Sequence, residues 1–245
     1  MNARPVVLTA GAVAPTANDG VVSDAAVLSE IDCRAVPVVT SFLGHAPGRR
    51  FAEPVPAALL ERQIAAAFAG PRPEGALIGL VLDAEQVRAI AAAIDRAVPD
   101  VAVYAPVVSI HGETLLDAAT LAAAEAELFG RVRVVVLRAN DAEHVTGIAV
   151  EGFDALKAAA GVLRRRGARA AIVAGYQAHG RVADVVDDGG TITLLDAARI
   201  QASHVAGLAG AYATAVAGHL AHGATPARAA GAAQRYVAMR LMRGR

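Results

Sequence analysis

Residues 132–146 read V-R-V-V-V-L-R-A-N-D-A-E-H-V-T. The run Val132–Leu137 is apolar almost throughout, the pattern of a strand buried on both faces of a sheet. At Arg138 it gives way to a polar turn and a short helix over Asp141–Thr146. A longer helix over Phe153–Arg166 and a second apolar strand over Ala170–Ala174 follow, which completes a β-α-β unit. Two buried strands joined through helix belong side by side in a parallel sheet, because a parallel pair needs a crossover connection.

Outward from this unit the alternation repeats. Upstream, strands at Val6–Thr9, Ala35–Phe42, Leu77–Val81 and Val101–Val108 alternate with helices at Val21–Ile31, Pro54–Phe68, Ala84–Ala97 and Asp117–Leu128. Asp117 is placed to cap the last of these. Leu59, Leu60, Ile64 and Phe68 share one face of the Pro54–Phe68 helix. Downstream, Val182–Val186 and Thr191–Leu195 flank Asp187-Asp188-Gly189-Gly190, a hairpin signal. Then comes Ser203–Gly223, S-H-V-A-G-L-A-G-A-Y-A-T-A-V-A-G-H-L-A-H-G, and a final helix over Pro226–Met242 with proline in its first turn. The order predicts one α/β domain over 1–245 with a mostly parallel, doubly wound sheet. Ligands of such sheets bind beyond the C-terminal ends of the strands. The loops to inspect are Gly11–Gly20, Gly44–Gly48, Val107–Glu113, Arg138–Glu143 and Ser203–Gly210.

Composition narrows the function. Basic and acidic residues balance at 23 each, which excludes a binder that relies on a broad basic field. Hydrophobic residues make up 55% and the mean hydropathy is +0.43, but much of this is alanine, and no apolar run reaches membrane-spanning length. No signal-peptide cleavage region follows the start, so a cytoplasmic protein without a membrane or nucleic-acid partner is expected. The single cysteine, Cys33, excludes a disulfide and reads as a small buried residue. Arg164–Arg166 read as a solvated helix C-terminus complementing the dipole. Lys157 is the only lysine. In Ser203–Gly223, glycines at a helix start leave backbone N–H groups free to hold an anion such as phosphate; a small-residue helix start that packs tightly and binds nothing has the same sequence.

In these positions the chain resembles the hydroxymethylpyrimidine/phosphomethylpyrimidine kinases of the ribokinase-like superfamily. The resemblance is collinear from Val7 to about Leu241. It runs through Leu8-Thr9-Ala10-Gly11, Asn18-Asp19-Gly20-Val21-Val22-Ser23-Asp24, Val38-Val39-Thr40, Leu77-Ile78-Gly79, Ala105-Pro106-Val107-Val108 and Gly112-Glu113-Thr114-Leu115-Leu116. It continues through Asn140-Asp141-Ala142-Glu143, Gly175, Asp184 and Gly207-Leu208-Ala209-Gly210. The resemblance implies a ribokinase-like three-layer α/β/α fold, ATP and magnesium as cofactors, a hydroxymethyl heterocycle of thiamine synthesis as substrate, and a homodimer. It implies that Asn140 and Glu143 organise the phosphate region, with Glu143 toward the metal. It also implies that Gly175 and Gly207 meet nucleotide phosphates, and that Gly11, Asp24, His45 and Leu80 shape the substrate pocket.

The pattern breaks where chemistry is expected. Gly210 stands where the family carries its base, and a two-residue shift would place Leu208 there instead. Ala174 and Ile110 stand where the family has lysines, and His45-Ala46-Pro47 replace a ring-contacting segment. Gly11-Ala12-Val13-Ala14-Pro15 has lost the aspartate of the first loop. Arg138 is a candidate for phosphate contact, His45 for a hydrogen bond to the heterocycle and His204 for a displaced general base, and His111 sits in the loop at 110–113; solvated or structural roles fit each of them as well. Two readings stay open: an ATP-dependent kinase of a hydroxymethylpyrimidine or a related pyridoxine-like ring, and a catalytically silent relative that binds a small heterocycle or a partner subunit.

Overall fold

The computed structural model describes residues 4–14, 20–46, 49–97, 101–110, 113–201 and 206–243. His111, His204 and the first-loop residues 15–19 lie outside these, as does the side chain of His45.

The first half of the chain forms β1 (Val6–Val13), α1 (Val21–Glu30), β2 (Arg34–Ala46), β3 (Arg49–Pro54), α2 (Ala57–Phe68), β4 (Gly75–Ile78) and α3 (Ala84–Ala97). Next are β5 (Ala102–Tyr104), the short pair β6 (Ser109–Ile110) and β7 (Glu113–Thr114), α4 (Ala118–Glu127) and β8 (Val134–Arg138). A 3-10 turn (Ala139–Asp141) leads into α5 (Ala142–Thr146) and α6 (Phe153–Arg165). The remainder is β9 (Ala171–Ala178), β10 (Arg181–Asp187), β11 (Ile192–Ala198), α7 (Leu208–Ala221) and α8 (Pro226–Arg243).

Among the described residues nine strands make one sheet, in the order β11-β10-β9-β8-β5-β4-β1-β2-β3. From β9 to β2 every pairing is parallel, whereas β10 and β11 at one edge and β3 at the other run antiparallel. Successive strand residues point to opposite faces, and each face has its own apolar layer. Leu8, Ile78, Tyr104, Val135, Leu137 and Val173 meet Leu60, Ile64, Ile90, Leu156 and Leu163 of α2, α3 and α6. Val7, Leu77, Val103, Val134, Val136 and Ile172 meet the other layer, built from α1, α7 and α8. This is the expected three-layer, mostly parallel α/β/α architecture.

The differences from expectation are local. β2 runs on to Ala46 instead of breaking at Gly44, and its far end pairs with β3, His45 opposite Arg50. The α2 helix starts at Ala57 rather than Pro54, and Leu59 is 40% exposed, so Leu60 and Ile64 alone form its buried stripe. β5 stops at Tyr104. The Asp117 cap forms, with Thr120 N donating to Asp117 Oδ1 at 2.7 Å. Arg164–Arg166 are more than a solvated end: Arg164 donates to the Ala168 carbonyl and pairs with Asp187, and Arg166 donates to Glu125 and to the Val145 carbonyl.

Two close approaches set the position of α7. A Cβ on Gly75, at the start of β4, would lie 3.2 Å from Ala221 Cβ, so the end of α7 sits over the N-terminal end of that strand. The start of α7 therefore lies at the C-terminal edge of the sheet. A Cβ on Gly218 would come 2.4 Å from Ile31 Cδ1 and 3.1 Å from Leu28 Cδ2, so glycine lets α7 press against α1. Among the described residues no helix is long and apolar enough to cross a membrane.

Candidate active site

The C-terminal edge of the sheet collects the ends of β1, β8 and the parallel part of β9 with the first turns of α1 and α7. Gly207 caps α7 with φ 76° and no side-chain hydrogen bond. That left-handed conformation favours glycine and fixes Leu208 as the first helical residue. The helix's own bonding begins with Ala211 N donating to Gly207 O at 2.9 Å. The N–H groups of Leu208, Ala209 and Gly210 have no acceptor within the helix and carry the positive end of its dipole. This turn can hold an anion. The side chains of Leu208, Ala209 and Gly210 can do no proton chemistry.

One turn further along, Thr214 is fully buried. Its Oγ1 lies 2.5 Å from Asp24 Oδ1 and 2.8 Å from the Gly210 carbonyl, so one hydroxyl joins α1 to the start of α7. Asp24 is itself 8% exposed and faces this contact from the first turn of α1, where Asp24 N donates to Gly20 O. Gly11, near the end of β1, packs under α1, its would-be Cβ 3.5 Å from Val21 Cγ1. Leu80 is buried, and its carbonyl accepts from Thr40 Oγ1 at 2.5 Å.

A second connection starts at Gly175. Its N–H donates to Asp184 Oδ1 at 2.8 Å, across a register shift in the β9–β10 ladder. Asp184 Oδ2 also accepts from Tyr212 Oη at 3.0 Å and Gln234 Nε2 at 3.2 Å. Burial pushes the Asp184 carboxyl up to about 6 although the three donors pull it down. Burial and the Asp184 charge together push the Tyr212 hydroxyl well above its usual range. Asp184 thus fastens β9, α7 and α8 at one buried point.

The Asn140–Glu143 segment lies beside this, because Arg138 is in register with Ala174. Asn140 and Glu143 are both exposed, whereas Asp141 between them is buried and bonds to Arg138 Nε. Arg138 Nη2 also donates to the Ser109 carbonyl at 3.0 Å. The arginine considered for phosphate contact is therefore already held by a carboxylate and a carbonyl. Lys157, near the start of α6, lies 3.2 Å from Asp154. Among the described residues no three His, Cys, Asp or Glu side chains converge on a metal position. Sequence reasoning missed Thr214, Tyr212 and Gln234 as partners of the two aspartates. The four-residue step from Gly210 to Thr214 was the available signal for the first.

The sequence model of the phosphomethylpyrimidine kinase family matches residues 15–244. The chain belongs to this family. A hydroxymethylpyrimidine/phosphomethylpyrimidine kinase of Rhizobium meliloti is 29% identical over 221 residues, 89% of this chain and 83% of the relative. Among solved structures, the pyridoxal kinase of Staphylococcus aureus in complex with AMP-PCP and pyridoxal superposes with a TM-score of 0.88 at 21% identity, covering 97% of this chain and 87% of that one. A phosphomethylpyrimidine kinase of Clostridium difficile 630 gives a TM-score of 0.80 at 20% identity over 96% of this chain and 98% of that one. The fold is thus the ribokinase-like fold of the vitamin kinases. The helix start carries Leu208, Ala209 and Gly210, none of which has a side chain that accepts a proton.

Proposed function

We propose that the chain holds a small heterocycle, of the hydroxymethylpyrimidine or pyridoxal class, at the C-terminal edge of the sheet and has lost the phosphoryl transfer for which its family is named. The first turn of α7 carries this reading. Phosphoryl transfer needs a positioned group to accept the proton of the attacking hydroxyl and cations to neutralise the transferring group. Leu208, Ala209 and Gly210 supply no acceptor, and Arg138 is neutralised by Asp141. The anion-holding backbone of the turn remains, which suits a phosphate or a ring hydroxyl as a bound group. Asp24 and Gly11 line the heterocycle side, with Leu80 and His45 beyond them. Magnesium commonly takes one or two carboxylates together with nucleotide phosphates. Glu143 and Asn140, exposed one helical turn apart, fit that role only when a nucleotide brings the remaining ligands, and the ion would then neutralise phosphate charge.

Asp24 favours a second reading, a kinase whose base has moved. Thr214 Oγ1 joins its carboxylate to the start of α7, so Thr214 would take the attacking hydroxyl's proton while giving its own to Asp24. The experiment is isothermal calorimetry with hydroxymethylpyrimidine, pyridoxal and ATP separately, beside a turnover assay at high protein concentration. Heat from a heterocycle without ATP-dependent product is the expected result. Turnover that Asp24→Asn abolishes would establish the displaced base instead, and no heat from either heterocycle would refute the binding site.

A further inference from the structure

The outer surface of α8 is used by none of the chemistry above, and it carries an unusual charge. From Ala197 to Arg245 the chain has six arginines and no aspartate or glutamate, although the whole chain is balanced at 23 of each sign. Four of the six, Arg228, Arg235, Arg240 and Arg243, lie on α8. The helices α2, α3 and α6 mix signs, as in α3 with Glu85, Arg88, Asp95 and Arg96, and where a helix carries one sign elsewhere, as in α1 and α4, it is acidic. Mixed signs give a solvated helix its favourable pairs one turn apart; α8 has only like charges to offer itself.

The exposed residues also form a line. Arg228, Arg235, Met239 and Met242 follow one another at steps of seven, four and three, which places them on one stripe of the helix. Met239 is 45% and Met242 54% exposed. Beside this stripe a groove of about 210 Å³ separates α8 from the end of α1, lined by Glu30, Ile31, Tyr236, Met239, Arg240 and Arg243. Glu30 is the carboxylate within it, and it already accepts from Tyr236 Oη at 2.8 Å and lies 4.0 Å from Arg243.

We propose that this face is a docking surface for an acidic, amphipathic polypeptide segment. Its carboxylates meet Arg235, Arg240 and Arg243, and one apolar side chain enters the groove between Ile31 and Met239. Charge decides the occupant. A second copy presenting the same face would set guanidinium against guanidinium. A bilayer surface wants a broad apolar face with bulky side chains, and the stripe offers two methionines. Exposed methionines beside cations suit a peptide, because the thioether adapts to varied side chains, while complementary charge steers the encounter.

Fluorescence anisotropy with the full chain and a labelled helix-forming peptide carrying glutamates and regularly spaced leucines tests this. Binding should fall steeply with added salt, weaken about tenfold or more in the double variant Arg240→Glu/Arg243→Glu, and survive Arg240→Lys/Arg243→Lys. Met239→Asp, which leaves the arginines in place, should also weaken it, and circular dichroism and Tm verify that each variant is folded. Equal affinity for a neutral peptide of the same spacing, or no binding of the acidic one, overturns the proposal. Preferential sedimentation with phosphatidylcholine–phosphatidylserine vesicles overturns it in favour of a lipid surface.

Discussion

At the scale of residues, Asp184 is the side chain whose chemistry reaches furthest. Its three donors come from three different elements, and the buried carboxyl still holds its proton up to about pH 6, against a usual value near 3.8. The folded chain therefore binds this proton more tightly than the unfolded chain does. The group favours the native state below about pH 4, and that advantage is lost as the pH rises through about 6. A shift of this size corresponds to about 3 kcal/mol. Urea unfolding at pH 4.5 and pH 7.5 should show wild type gaining stability at the lower pH relative to Asp184→Asn, in which this dependence is absent. Asp184→Leu should cost about 2–4 kcal/mol at either pH, because it leaves Gly175 N–H, Tyr212 and Gln234 without their common acceptor. Little of this network was legible in the sequence. Tyr212 and Gln234 sit in alanine-rich helices where periodicity shows only that the helices are buried, and the family resemblance marked Asp184 without its partners. Asn140 and Glu143 were legible as a pair, but the buried member of that turn is Asp141, whose hold on Arg138 depends on a fold that brings Ser109 alongside.

At the scale of elements, strands and helices whose apolar runs face a core were readable, and those defined only by a neighbour were not. β8 and β9 announce themselves because both faces are covered. β3, R-R-F-A-E-P, has no such pattern and is a strand because β2 extends beyond the sheet to pair with it. The α1–α7 contact was equally hidden, since a glycine inside an alanine-rich helix does not say which helix will approach it. Gly218→Val tests the closeness of that approach. The added side chain must displace Ile31 and Leu28, and overpacking of this kind costs about 1–3 kcal/mol. Chemical denaturation should show the loss, and Gly218→Val combined with Ile31→Val should recover part of it. A variant that is no less stable than wild type would mean that the helices separate easily.

At the scale of the whole molecule, sequence order and spatial order diverge. β1, near the start of the chain, lies between β2 and β4 in the sheet, and the layer over one of its faces comes from α1 together with α7 and α8. Deleting α8 should expose Val134, Ile172 and the inner face of α7. The expected outcome is a product that is aggregated or, if soluble, binds a hydrophobic dye and lacks a cooperative thermal transition; a monomeric, cooperatively melting product would show that α8 is dispensable. The ordering also bears on how the protein is made. A ribosome delivers roughly 5–20 residues per second, so the parallel strands emerge well before the two helices that complete the layer over one of their faces. Throughout that interval the nascent chain carries an open greasy flank, and its need for a holding chaperone should end only when α7 and α8 have cleared the exit tunnel.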